Sequence, residues 1–60
     1  MPSPIDIQKA LSGMDYPASK EQIVQHAQNN GGDKEVVDAL KGIADREYEG
    51  PSGVSSAVFD

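Results

Sequence analysis

Helix-start and helix-stop residues divide this chain into short apolar stretches, and that division limits what the chain can form. Ser19 and Asp33 are good N-caps, and each stands directly before a stretch of helical periodicity. Between the two stretches lies Asn30-Gly31-Gly32, whose glycines can take the left-handed conformation that ends many helices. The pattern predicts an all-α or nearly all-α fold, a small bundle of three to four short helices joined by tight turns.

Each predicted helix has a start signal, although the last is weakly specified. Ser3 precedes a proline at the first helical position, where the missing N–H costs no hydrogen bond. The side chains of Ser19 and Gln22 can form a capping box with the backbone. Gly50 is a mediocre cap for the final helix, and Gly53 loses entropy within its first turn. The predicted helices cover 4–12, 20 to 29 or 30, 34–44 and 51–58.

Two tyrosine-bearing segments interrupt the helical pattern. Asp15-Tyr16 and Glu47-Tyr48 are both expected to be extended, and Pro17 biases Tyr16 away from the helical region. The segments can pair as a minimal two-stranded ribbon around Tyr16 and Tyr48, or remain loops whose rings lie on the bundle. The apolar pattern predicts a core of Ile7, Leu11, Met14, Tyr16, Ile23, Val24, Ala27, Val36, Val37, Leu40, Ile43, Tyr48, Val54 and Val58.

The length and composition restrict both the size of the fold and the classes of ligand. Sixty residues make one small helical domain, 1–60, in which we expect residues 1–3 and 59–60 to be frayed. Without cysteine, no disulfide or thiolate metal site is available. The N-terminus has no signal-peptide pattern, and no apolar run approaches the ~20 residues of a membrane span. We therefore expect a cytoplasmic protein without a membrane partner.

The charge is acidic and concentrated in the second half. Ten Asp and Glu residues oppose five Lys and Arg, and from Asp33 onward seven acids and three bases leave a formal charge of −4. Such a surface repels phosphate backbones, and the sequence has no basic stripe of the kind that binds nucleic acids.

One acidic segment is a candidate contact surface. It consists of Asp45, Arg46, Glu47, Tyr48 and Glu49. On an extended chain its three acids would point to one side, with the arginine and the tyrosine on the other. The spacing lacks the glycine and terminal glutamate of a calcium loop. The segment is therefore interpreted as a solvated edge or as a contact for a basic protein partner.

The other polar residues do not form a recognisable reactive arrangement. His26 borders the apolar stripe of the second helix, where Gln22 and Asn30 are poor metal ligands, so a structural role is predicted. Gly31-Gly32 lacks the Gly-Lys-Ser/Thr ending of a phosphate loop and is interpreted as a helix end. We expect no enzymatic activity, no catalytic residue, no cofactor and no metal.

Seven stretches of the sequence together carry a resemblance to a known family: Ile7–Gly13, Asp15–Glu21, His26-Ala27, Asn30-Gly31, Asp45–Tyr48, Pro51 and Val54-Ser55. With these stretches the sequence resembles a small bacterial family known only as domain of unknown function 2795. Gly50 and Gly53 depart from it, because similar sequences tend to carry serine and an acid there. The resemblance implies a bacterial, cytoplasmic helical mini-domain and no particular activity.

Two function hypotheses follow from these observations. The first is a non-catalytic, acidic interaction or regulatory module that binds a basic protein partner. The alternative is a DNA-associated domain similar to a helix-turn-helix, in which the third helix would read the duplex. The acids of that helix offset Lys34 and Lys41, so nucleic acid is the less favoured partner. Self-association is also expected, because it could bury more of the aliphatic stripe.

Overall fold

Capping bonds fix where the second helix begins. The computed structural model describes residues 3–59, in which α1 spans Pro4–Ala10 and α2 spans Lys20–Asn29. The hydroxyl of Ser19 accepts a hydrogen bond from the Gln22 N–H at 3.2 Å, and the Gln22 side chain accepts one from the Ser19 N–H at 2.9 Å. The predicted capping box is confirmed.

A reciprocal capping box also starts α1, where the sequence analysis predicts only a cap by Ser3. The Ser3 hydroxyl accepts from the Asp6 N–H at 3.3 Å, and the Ser3 N–H donates to the Asp6 carboxylate at 3.0 Å. Two interactions with Ser3 lower the pKa of the Asp6 carboxyl. The larger is the hydrogen bond from the Ser3 N–H, and the smaller is the interaction with the Ser3 hydroxyl. The helix ends at Ala10, two residues earlier than predicted, and the chain turns at Gly13 with φ +76°.

A Schellman motif ends α2. Gly31 has φ +76° and its N–H donates to the Gln28 carbonyl at 3.2 Å, while the Gly32 N–H donates to the Ala27 carbonyl at 2.8 Å. Gly31 thus ends the helix as predicted. Gly32 is needed for a second reason, since a Cβ there would lie 2.9 Å from the Ala27 carbonyl oxygen.

The third helix is shorter than the sequence predicts. The helix α3 spans Lys34–Lys41 rather than reaching residue 44. After its last turn, the Gly42 and Ile43 N–H groups donate to carbonyls three residues back, which tightens the chain and ends the regular helix. Asp33 occupies the N-cap position with extended backbone, but its side chain makes no capping bond.

The fourth helix forms despite its weak start signal. The helix α4 spans Pro51–Phe59. Gly53 lies against the ring of Tyr48, and a Cβ at this glycine would be 3.7 Å from Cδ1 of that ring. Val54, which is fully buried in the core, anchors the helix on its inner side.

The ribbon joins two halves of similar build. The strand β1, Ala18–Ser19, pairs antiparallel with β2, Glu47–Tyr48, so that Ala18 lies opposite Tyr48. Each half has the order helix, strand, helix, and this unit occurs twice along the chain. The predicted mostly helical fold with a minimal ribbon is confirmed. Tyr16 lies two residues before β1 and outside the pairing.

A single core joins all four helices and the ribbon. It contains Ile7, Ala10, Leu11, Ala18, Ile23, Ala27, Val36, Val37, Leu40, Ile43, Tyr48 and Val54. Two small residues, Ala10 and Ala18, are absent from the predicted core. Conversely, four predicted members are only partly buried at its edge, namely Met14, Tyr16, Val24 and Val58.

The predictions for the chain ends are only partly covered by the structure. Residues 1, 2 and 60, predicted to be frayed, lie outside the described residues. Ser3 caps α1 and Phe59 is the last residue of α4. Between these residues, no helix has both the length and the apolar character that crossing a bilayer requires.

Candidate functional site

The predicted contact segment, residues 45–49, is mostly on the surface. Asp45, Arg46, Glu47 and Glu49 are exposed. The side chain of Tyr48 is only 1% exposed and belongs to the core. A partner at this surface would therefore contact the four charged side chains. The Tyr48 side chain packs in the core below them.

Two hydrogen bonds to one carbonyl oxygen fix the backbone of this segment. The Ala44 carbonyl accepts a bond from the Tyr48 hydroxyl at 2.7 Å and another from the Arg46 N–H at 3.0 Å. The ribbon pairing of β2 adds a third constraint at Glu47 and Tyr48. The acids on either side of Tyr48 are thereby displayed from a defined backbone.

Arg46 stacks on the tyrosine of the same segment. Its guanidinium carbon lies 4.5 Å from the centroid of the Tyr48 ring, within the range of a cation–π contact. Among residues 3–59, no ion pair joins Arg46 to Glu47 or Glu49. The two glutamates therefore keep their carboxylates available to solvent or to a cation.

The structure does not bring all three acids of the segment together. Glu47 and Glu49 line a depression of about 510 Å³ that continues onto the start of α4. Asp45 instead lines a depression of about 330 Å³ with Lys20 and Glu21 of α2. Only two of the three predicted acids thus share one concave surface. Within residues 3–59, no group of three or more acidic or histidine side chains could hold a metal ion.

His26, for which a structural role is predicted, and Asn30 both bond to backbone carbonyls at the end of α1. His26 is half-buried, and its Nε2 donates to the Ser12 carbonyl at 2.8 Å, since a carbonyl can only accept. The Asn30 side-chain amide lies 3.1–3.3 Å from the carbonyls of Lys9, Ala10 and Ser12. Two side chains one turn apart, one on α2 and one at its C-cap, therefore bond to carbonyls at the carboxyl end of α1. The i, i+4 spacing of His26 and Asn30 is the only sequence signal for this role.

Tyr16 has the most unusual environment of the polar groups in the described part of the chain. Its hydroxyl is shielded from solvent and has no hydrogen-bond partner there. Burial raises the pKa of this phenol above its ordinary value. The side chain as a whole is half-buried against the core, which makes it a packing residue with an unpaired polar tip.

A groove without charged residues separates α1 from α4. It has a volume of about 570 Å³ and is lined by Pro4, Ile7, Gln8, Leu11, Pro51, Ser52, Ser55, Ser56 and Phe59. The sequence does not predict this groove, because its two walls come from opposite ends of the chain. The signal that could have indicated it is the complete absence of charge from residues 51–59.

Comparison with known proteins identifies the family. The sequence profile of the family described as "Protein of unknown function (DUF2795)" matches residues 2–55. The chain belongs to this family. The DUF2795 match confirms the resemblance seen in the sequence and includes the whole of segment 45–49. No curated protein and no solved structure matched the chain.

Proposed function

We propose that this DUF2795 chain is a small, non-catalytic interaction module that binds a basic protein partner through segment 45–49. The observation that carries the proposal is the display of Glu47 and Glu49 on both sides of the buried Tyr48. Their carboxylates are exposed, whereas the backbone between them is held by the tyrosine and the ribbon. Such an arrangement loses little conformational freedom when it binds a partner.

The distribution of charge supports the same proposal. The chain carries a formal net charge of −5, which attracts a basic partner over about 10 Å at moderate ionic strength. Arg46 forms no ion pair with the neighbouring glutamates within residues 3–59, and its guanidinium stacks on the Tyr48 ring instead. A lysine or arginine of the partner could therefore bind the carboxylates directly. A bacterial, cytoplasmic setting, predicted from the sequence, remains part of this proposal.

A titration with a basic peptide tests the proposal. The ¹⁵N-labelled chain is titrated with a short lysine- and arginine-rich peptide at low and high salt, and amide chemical shifts are followed. We expect the largest shifts at residues 45–49 and weaker binding at high salt. The double variant Glu47→Gln/Glu49→Gln should weaken binding about tenfold, since each lost charge removes a charge-assisted bond.

A matched variant separates a local surface from a general charge effect. Asp33→Asn/Asp38→Asn changes the net charge by the same two units, but its substitutions lie on α3 and its N-cap. We expect this control to weaken peptide binding by less than about twofold. Equal losses in the two double variants, or shifts spread over the whole surface, would contradict a specific site at segment 45–49.

Duplex DNA supplies the second arm of the experiment. A DNA-associated domain should bind duplex with a dissociation constant below about 10⁻⁶ M and lose affinity steeply as salt rises. We expect no such binding, because the acids near Lys34 and Lys41 would repel the phosphate backbone. Tight, salt-dependent binding of DNA would therefore reject the proposal in favour of the helix-turn-helix alternative.

A further inference from the structure

The groove between α1 and α4 differs in charge from the rest of the described surface. Every residue that lines it is uncharged. The charged residues of α1, Asp6 and Lys9, line a separate depression beside Asn30. The helix α4 contributes no charge at all, since Pro51–Phe59 contains no acidic or basic residue. Four other depressions of the described surface each include at least one carboxylate.

One of the two exposed large apolar side chains lies at the same place. Among residues 3–59 these side chains are Ile5 and Phe59, which are 62% and 38% exposed. Phe59 forms part of the groove wall, whereas Ile5 stands on α1 outside the residues that line the groove. A projecting aromatic side chain beside an uncharged groove makes a surface that can be complementary to itself.

We propose that two copies of this chain associate through the α1–α4 face, each placing Phe59 against the groove of the other. Charge decides in favour of a second copy. Two molecules of net charge −5 repel one another over most of their surfaces, and least where both faces are neutral. A basic partner, in contrast, has no carboxylate to bind among the groove-lining residues. This surface does not include segment 45–49, so either proposal can fail without the other.

The size of the chain sets the expected strength of this dimer. A standard interface covers about 800 Å² of each partner, which is about a fifth of the 3830 Å² exposed by this molecule. Because α1 and α4 have only 7 and 9 residues, we expect their outer faces to cover less than this standard area. The dimer should therefore form reversibly and depend on concentration. In its symmetric contact, Phe59 of each copy should lie against Gln8 of the other.

Sedimentation equilibrium over a wide concentration range tests the dimer. We expect the apparent mass to rise from the 6.4 kDa of one chain toward twice that value. The variant Ser56→Glu places a carboxylate on the exposed side of the groove, so that like charges meet in a symmetric dimer. It should raise the dimer dissociation constant by about tenfold or more. Gln25→Glu adds the same charge at an exposed position of α2 and should change it less than about twofold.

Circular dichroism, a second variant and NMR complete the test of the dimer. Circular dichroism should show that Ser56→Glu remains helical, and Phe59→Ser should disrupt the same contact independently. Isotope-filtered NMR on mixed labelled and unlabelled chains should show contacts from the Phe59 ring of one copy to Gln8 of the other. A mass of 6.4 kDa at every concentration up to about 1 mM would overturn the proposal and leave the face for a different occupant. Dimers unaffected by both variants would overturn it as well.

Discussion

The hydroxyl of Tyr48 donates a hydrogen bond to the carbonyl oxygen of Ala44 at 2.7 Å. This bond joins the end of the α3 region to β2 and fixes the backbone that displays the acidic side chains. Tyr16, the other tyrosine, has a hydroxyl that is shielded from solvent and lacks a partner within the described part of the chain. One tyrosine in the core and one at its edge therefore allow a bonded hydroxyl to be compared with an unbonded one.

Tyr48→Phe should destabilise the fold, because it removes this bond while keeping the buried ring. We expect a loss of about 1 kcal/mol in the free energy of unfolding, measured by urea titration with circular dichroism. The same substitution at Tyr16 removes a hydroxyl that has no bond to lose, and its effect should be neutral or stabilising. A larger loss for Tyr16→Phe than for Tyr48→Phe would contradict this assignment of roles.

Alkaline pH should weaken the fold partly through Tyr16. Because burial raises the pKa of its phenol, the folded state holds the proton more tightly than the unfolded state does. Its contribution is fully present below the ordinary value of 10.0 and decreases as pH rises through the higher folded pKa. Unfolding free energies at several pH values above neutrality should therefore decline less in Tyr16→Phe than in the parent chain. Identical declines would show that the phenol is not desolvated.

Asn30→Ala should loosen the junction between α1 and α2. The substitution removes the amide that donates to the carbonyls of Lys9 and Ala10, so we expect a loss of about 1 kcal/mol in unfolding free energy. Faster amide exchange in α1 should accompany it. Asn29→Ala is the control, because this exposed neighbour has no side-chain bond among the described residues. Equal effects of the two substitutions would argue against an amide-specific role.

Gly32→Ala should be poorly tolerated. Its Cβ would lie 2.9 Å from the Ala27 carbonyl oxygen, and a backbone atom cannot move aside as a flexible side chain can. We expect a loss of about 1–3 kcal/mol, measured as a shift in the urea midpoint. At Gly42 the nearest such atom is 3.5 Å away and φ is −88°. Gly42→Ala should therefore be neutral or stabilise by about 0.4–1 kcal/mol, and stabilisation by both variants would refute the close approach at Gly32.

Local signals in the sequence predict the helix starts better than the helix ends. The capping box of Ser19 and Gln22 depends on residues three apart, so spacing alone reveals it. The end of α3 depends on how the chain continues toward β2, and the regular helix stops at Lys41 although apolar periodicity continues to residue 44. The end of α1 likewise depends on donors from α2 and its C-cap, chiefly Asn30, which no local pattern within α1 can reveal.

The candidate surfaces show the same division between local and tertiary information. Charge and spacing indicate that the acids of residues 45–49 are exposed on an extended segment. They do not reveal that Asp45 lines a different depression from Glu47, because the direction of each side chain is set by packing against α2 and α4. The small core residues Ala10 and Ala18 are missed for a related reason. Their burial follows from close approach of neighbouring elements, not from size or hydrophobicity.

The pairing of β1 with β2 has a consequence for folding during translation. Ala18 obtains its strand partner only when Tyr48 has been synthesised, thirty residues later. While the first half alone has emerged, its short helices lack the tyrosine ring and the valine of α4 that complete their interior. The domain should consequently acquire its final structure only when translation of this segment is nearly complete.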